Sequence, residues 1–339
     1  PSLVGSEMCI RDSSDSTAAR TLTNAYTLGG SINLGDATNN GALTFSGSGV
    51  LVSNALVTNP STVVLSGVIS GTGGLTKNGT GGLILSGVNT FSGGVTLNAG
   101  GVAIGSDAAL GTGLVAFGAV GVSSDGTAAR NVANPFTIGS MVMLGDATKN
   151  GALTLSGDGT ITANASVMTQ SNVAINGALS GEFSLTKSGS GELMLGGGNT
   201  FSGPLLVDGG ILTLSGGNAL VNSMAVTVNA GAMLKLGSSE EIATLAGAGA
   251  VNLQANALTL SGSGNGTYSG VMSGTGSLVK SGSGELTLSG ANTFSGGVSL
   301  SVGAVSMGNN AAFGTGAVVF SGGKIASDGA TARTVANAL

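Results

Sequence analysis

Three lysines in this chain, Lys77, Lys187 and Lys280, each stand 12 residues ahead of an asparagine (89−77, 199−187, 292−280). The asparagine opens an Asn-Thr-Phe-Ser-Gly run every time, so Asn89, Phe91 and Gly93 return as Asn199, Phe201 and Gly203, and again as Asn292, Phe294 and Gly296. A row of ammonium groups at fixed intervals could bind a ligand along its length. The competing reading is structural: each lysine stem covers apolar surface while its ammonium stays in water. The asparagine then bonds turn backbone, and the phenylalanine packs under the corner. Spacing held without insertion or deletion describes a folding unit, and the structural reading is preferred.

Catalysis finds little else to work with. The chain has no histidine, which removes the usual general base, most zinc sites and Ser-His pairs. The acidic residues are scattered. Only Glu240 and Glu241 are adjacent; in a strand they would face opposite ways, and in a loop they read as solvated charges. Asp36-Ala-Thr-Asn-Asn-Gly41 and Asp146-Ala-Thr-Lys-Asn-Gly151 resemble the start of a calcium loop, but Gly47 and Gly157 stand where its last acid belongs. An Asx turn followed by an Asn-Gly corner is the expectation there. Gly79-x-Gly81 is followed by no Gly-Lys-Ser/Thr and opens no helix, so it is not a phosphate loop. The sequence therefore predicts no enzyme, no cofactor and no metal.

The elements that carry these residues follow from composition. Of 339 residues 64 are glycine, none is tryptophan, aromatics make up 3% and charged residues 7%. Helix is disfavoured, since each internal glycine costs roughly 0.5–1 kcal/mol relative to alanine. Collagen is excluded by the missing three-residue period and by only four prolines. The net charge of −5 with dispersed Lys and Arg excludes a nucleic-acid surface, and no apolar run reaches the roughly 20 residues of a transmembrane helix.

Comparison of the three copies shows which side chains point inward. Leu83/Leu85, Leu193/Leu195 and Leu286/Leu288 flank a variable residue; so do Val95/Leu97, Leu205/Val207 and Val298/Leu300, and then Val102/Ile104, Leu212/Leu214 and Val305/Met307. This period of two predicts three short strands between Leu83 and Ile104, joined by the corners 87–93 and 98–100. Pro204, in the place of Gly94 and Gly297, predicts φ near −65° at that site and leaves Gly93, Gly203 and Gly296 as the left-handed candidates. Strands this short, three to a coil, wind as a parallel solenoid with a thin aliphatic core. At 20–22 residues per coil the chain makes about 15 coils and, at about 4.8 Å each, a rod of about 70 Å. Separations of 110 and 93 residues (201−91, 294−201) keep the three phenylalanines too far apart to stack.

A longer period encloses the motif. Ser14-Asp-Ser-Thr-Ala-Ala-Arg20 returns at Ser124 to Arg130 and, with changes, at Ser327 to Arg333; Leu34 to Gly47 returns at Leu144 to Gly157. Residues 14–339 therefore read as one β-helical region with repeats at roughly 14–123, 124–230 and 231–326, and a fourth starting at 327. Residues 1–13 differ in composition and read as a non-native, adapter-derived scar. They contain Cys9, the chain's one cysteine, so no disulfide is expected. The chain lacks an initiator Met, and Leu339 falls inside a repeat, so both ends read as fragment ends.

The pattern Gly-Leu-Thr-Lys-x-Gly-x-Gly-x-Leu-x-Leu-Ser-Gly-x-Asn-Thr-Phe-Ser-Gly-Gly, from Gly74 to Gly94, resembles the autotransporter-associated β-strand repeat, or passenger-associated transport repeat. Copy two departs from it at Gly196-Gly197-Gly198 and at Pro204. The resemblance implies an all-β, right-handed parallel β-helix in the passenger of a type V secretion protein, exported as an unfolded chain across the outer membrane of a Gram-negative bacterium. It implies a C-terminal translocator barrel as partner, a surface or extracellular location, and a role in export, folding and display, with adhesion to host or matrix ligands. The alternative it leaves open is an enzyme or carbohydrate-binding passenger whose active part lies elsewhere or on a loop.

Overall fold

The computed structural model describes residues 17–217, 219–329 and 331–339, together with the backbone of Arg11–Asp12. That two-residue strand pairs with Asn33 and Leu34. The rest of segment 1–13, including Cys9, lies outside the described residues, as do Ser14 and Asp15. Among the described residues all regular structure is strand, and every strand pairing is parallel.

The chain divides into two compact units, Pro1–Asn176 and Gly177–Leu339. In the first, one sheet stacks Tyr26–Leu34, Gly49–Thr58, Leu75–Asn78, Val95–Leu97, Val115–Phe117, Phe136–Ile138 and Gly159–Ile161. A second sheet runs from Arg20–Leu22 through Gly82–Leu85, Gly101–Ile104 and Gly121–Ser124 to Ala165–Thr169. In the second unit, one sheet takes eight rungs from Leu185–Ser188 to Lys324–Ser327. Two others form around Glu192–Leu195 and Glu240–Ile242. Each unit is a β-solenoid.

Side chains of the period-two pattern fill the interior: Leu83, Leu85, Leu97, Leu193, Leu195, Leu212 and Leu288 are all fully buried. Strands belong here because alternating apolar residues meet the same residue types one coil away, about 4.8 Å along the stack. The coil is 20 residues in the repeat (95−75, 115−95, 205−185) and stretches to 23 elsewhere (49−26, 159−136), a wider spread than the expected 20–22.

The grouping of strands into coils is corrected by the register. Val102 pairs with Leu83 and Ile104 with Leu85, so the first and third strands between Leu83 and Ile104 are rungs of one sheet on successive coils. Val95 pairs with Leu75 and Leu97 with Lys77. In copy one the third side of the coil is the corner 87–93, irregular but still tied to its neighbours through Thr90 N–H to Ile69 O (2.9 Å) and Thr112 N–H to Phe91 O (3.0 Å). Alternation identifies an inward face; coil boundaries depend on how far each corner carries the chain.

Candidate functional site

Each repeat lysine lies inside the fold. Lys77 alternates with Leu75 on one strand and is fully buried, like Lys187; Lys280 is 3% exposed. The expectation that the ammonium stays in water is overturned. Lys77 Nζ donates to Asn78 O (2.8 Å), Gly79 O (2.8 Å) and, one coil on, Ala99 O (3.1 Å). Lys187 Nζ repeats this with Ser188 O (2.8 Å), Gly189 O (3.2 Å) and Gly209 O (2.9 Å), and Lys280 Nζ bonds Gly282 O. A corner that turns its carbonyls inward would leave buried acceptors unpaired, and a long side chain with three donors fills that need. Burial pushes Lys77 and Lys187 down from 10.5 to about 8, and moves Lys280 the same way.

The asparagine joins three coils rather than closing its own turn. Asn89 Oδ1 accepts from Ile69 N–H (2.8 Å) in the preceding coil, and Nδ2 donates to Ala109 O (2.6 Å) in the following one. Asn199 does the same with Leu179 N–H (2.7 Å) and Ala219 O (2.6 Å), Asn292 with Met272 N–H (2.8 Å) and Ala312 O (2.6 Å). All three asparagines are buried, and Phe91, Phe201 and Phe294 are fully so.

Two groups of residues escaped the sequence reading. The acceptors Ala109, Ala219 and Ala312 each lie 20 residues after the asparagine (109−89, 219−199, 312−292), and their recurrence was the available signal. Gly100, Gly210 and Gly303 each follow the lysine by 23 residues (100−77, 210−187, 303−280) and have φ of 80°, 63° and 78°. A Cβ on any of them would meet the lysine Nζ at 3.0 Å or less.

The left-handed assignment needs correction too. Gly93, Gly203 and Gly296 do not have positive φ; Gly94 and Gly297 do, at 81° and 84°. Pro204 cannot adopt that conformation, so copy two turns this corner with a different backbone. Gly93, Gly203 and Gly296 are instead places of close approach: a Cβ on Gly203 would lie 2.2 Å from the carbonyl of Phe183. Gly203→Ala should therefore destabilise the second unit by about 1–3 kcal/mol. Gly198→Ala, where a Cβ meets nothing within 4 Å, should not; equal melting temperatures for the two variants would remove the close-approach account.

Glu240 and Glu241 lie on the strand Glu240–Ile242, where Glu240 is buried and Glu241 half-buried. The loop reading of two solvated charges does not describe Glu240. Its Oε2 and Oε1 accept from Ala219 N–H (3.1 Å) and Leu220 N–H (2.9 Å), so it grips the corner whose carbonyl holds Asn199. Burial raises its pKa, opposed by those two N–H donors.

The remaining polar motifs also fold onto their own turns. Asp146 Oδ1 accepts from Thr148 Oγ1 (2.6 Å), Thr148 N–H (2.7 Å) and Lys149 N–H (2.9 Å), which hold the carboxyl down at about 2. Asp36 makes the same turn with Thr38 and Asn39. Arg130 pairs with Asp125 at 3.1 Å and Arg333 with Asp328 at 3.2 Å, closing the second repeated motif. Among the described residues no three His, Cys, Asp or Glu side chains gather at one point, and no helix is long and apolar enough to cross a membrane.

Lys187 and Lys280, in one unit, lie on different sheets: Lys187 shares its sheet with the Glu285–Leu288 strand of copy three, and Lys280 sits beside Glu240–Ile242 and Ala257–Leu260. Buried and on different faces, they form no surface row.

No curated protein and no solved structure matches this chain. The family model for the passenger-associated transport repeat matches residues 75–104, 185–214 and 278–307. These are the segments that carry the buried lysine, the asparagine and the left-handed glycine, so the chain bears three passenger-associated transport repeats, as autotransporter passenger proteins do.

Proposed function

We propose that the chain is a structural passenger segment of a Gram-negative autotransporter, in which the repeats 14–123, 124–230 and 231–326 support export, folding and surface display, with adhesion as the role of the displayed face. In this reading Lys77, Asn89, Phe91, Gly93 and their counterparts in the other copies serve the fold and no reaction. The translocator barrel of the same protein is the partner for export, and host or matrix molecules are the partners for the displayed surface.

The observation that carries the reading is the repeated bond from one asparagine to backbone one coil before and one coil after. A chain that crosses the envelope unfolded must order itself coil upon coil afterwards. Contacts between neighbouring repeats are the free-energy terms that drive such one-dimensional growth. Polar side chains that reach successive coils add to those terms at fixed points.

The test is export of the chain fused to a β-barrel translocator and followed by protease shaving of whole cells. Wild-type chain should reach the surface as protease-resistant material. The triple variant Asn89→Ala, Asn199→Ala, Asn292→Ala should arrive in smaller amount and be degraded on arrival. Equal amounts of equally resistant material would defeat the proposed role of the repeats.

A further inference from the structure

On the outer face of the second sheet in the first unit, Gly82, Gly101 and Gly121 stack in register. Glycine weakens a strand interior and often marks a place where a ligand or another backbone comes close. The fold does not require these three. None has positive φ, and an added Cβ would meet nothing within 4 Å at Gly101 and nothing nearer than 3.9 Å at Gly82 and Gly121. The equivalent rungs in the other copies carry side chains: Glu192, Ile211 and Met233 in copy two, and Glu285, Ala304 and Lys324 in copy three.

The glycines form the floor of a groove of about 340 Å³, a size in the range of small-molecule sites. Thr62 and Met143 continue the stack at its two ends, and Asp146 and Lys149 stand on the wall. The turn uses only Oδ1 of Asp146, and no bond occupies Oδ2 or Lys149 Nζ among the described residues. Both groups are half-buried.

The geometry points to a binding site for a neutral saccharide of one or two rings. The floor extends about 10 Å over three rungs, flat and made of backbone, and so accepts the face of a ring. A carboxylate and an ammonium side by side cancel for an ion, but suit vicinal hydroxyls, of which one donates to Asp146 Oδ2 while the other accepts from Lys149 Nζ. A peptide strand is disfavoured because the glycine backbone groups are spent in the sheet, as in Gly121 N–H to Gly100 O at 3.0 Å, and strand addition needs a free edge. This site does not depend on the export reading, which coil stability and surface arrival test separately.

Saturation-transfer NMR on the full chain with maltose, cellobiose and diacetylchitobiose is the experiment. At least one disaccharide should show transfer. Gly101→Ile, which copies Ile211, should weaken binding by about tenfold with no loss of melting temperature, and Lys149→Met should weaken it through the wall instead of the floor. No transfer from any of the three sugars would overturn the site, as would transfer unchanged in both variants or binding of charged probes alone.

Discussion

Asn199→Ala is expected to destabilise the second unit by about 2–5 kcal/mol, because it strands two buried groups at about 1–3 kcal/mol each. These are Leu179 N–H and Ala219 C=O, which bond Asn199 at 2.7 and 2.6 Å. Neither has water within reach, since the side chain that now fills the site is 4% exposed. The loss should be local before it is global: a nonspecific protease should nick the chain between about 179 and 219 at temperatures where the wild type resists. Asn222, an exposed residue a few positions on, supplies the control, and Asn222→Ala should stay within about 0.5 kcal/mol. Identical cleavage of Asn199→Ala and wild type would show that the asparagine ties nothing together.

The second large effect is on pH. Lys77 and Lys187 lose their protons near pH 8 in the folded chain, against 10.5 in the unfolded chain, because burial disfavours the charged amine more than the corner carbonyls favour it. Between those values the unfolded chain binds more protons, so stability rises with pH, by about 1–3 kcal/mol per lysine. Lys280 adds in the same direction. The buried tyrosines act oppositely: burial raises Tyr268 and lifts Tyr26 to about 12. Stability is therefore lost as pH climbs past 10, where the unfolded chain ionises first. Melting temperature should rise from pH 7.5, peak near pH 10 and then fall. Lys187→Met should flatten the rising limb of the second unit, and a limb unchanged in that variant would refute the assignment.

What the sequence made legible and what it hid have one physical cause. Leu83/Leu85 and Val95/Leu97 disclosed their inward direction because three copies vary at the residue between. The same alternation placed Lys77 inward beside Leu75, but a charged residue on an apolar face is normally read as snorkelling. The three carbonyls that receive it come from a corner and from the next coil, which no local pattern displays. The register was hidden for a similar reason. Strands of three or four residues fit several groupings, and only the reach of corners such as 87–93 and 98–100 decides that Val102 sits on Leu83. Gly94 misled because Pro204 replaces it: one position holds a left-handed glycine in two copies and a proline in the third, so its conformation is a property of each copy.

Because each asparagine bonds backbone exactly one coil away on both sides, it acts as a length gauge. The distances are 20 residues in every instance (89−69, 109−89; 199−179, 219−199; 292−272, 312−292), whereas the coil from Phe136–Ile138 to Gly159–Ile161 runs to 23. A residue added between Asn199 and Ala219 would carry the acceptor out of reach. The chain therefore has places where it can grow and places where it cannot: new loops, tags or grafted epitopes belong between 138 and 159, where no gauge is set.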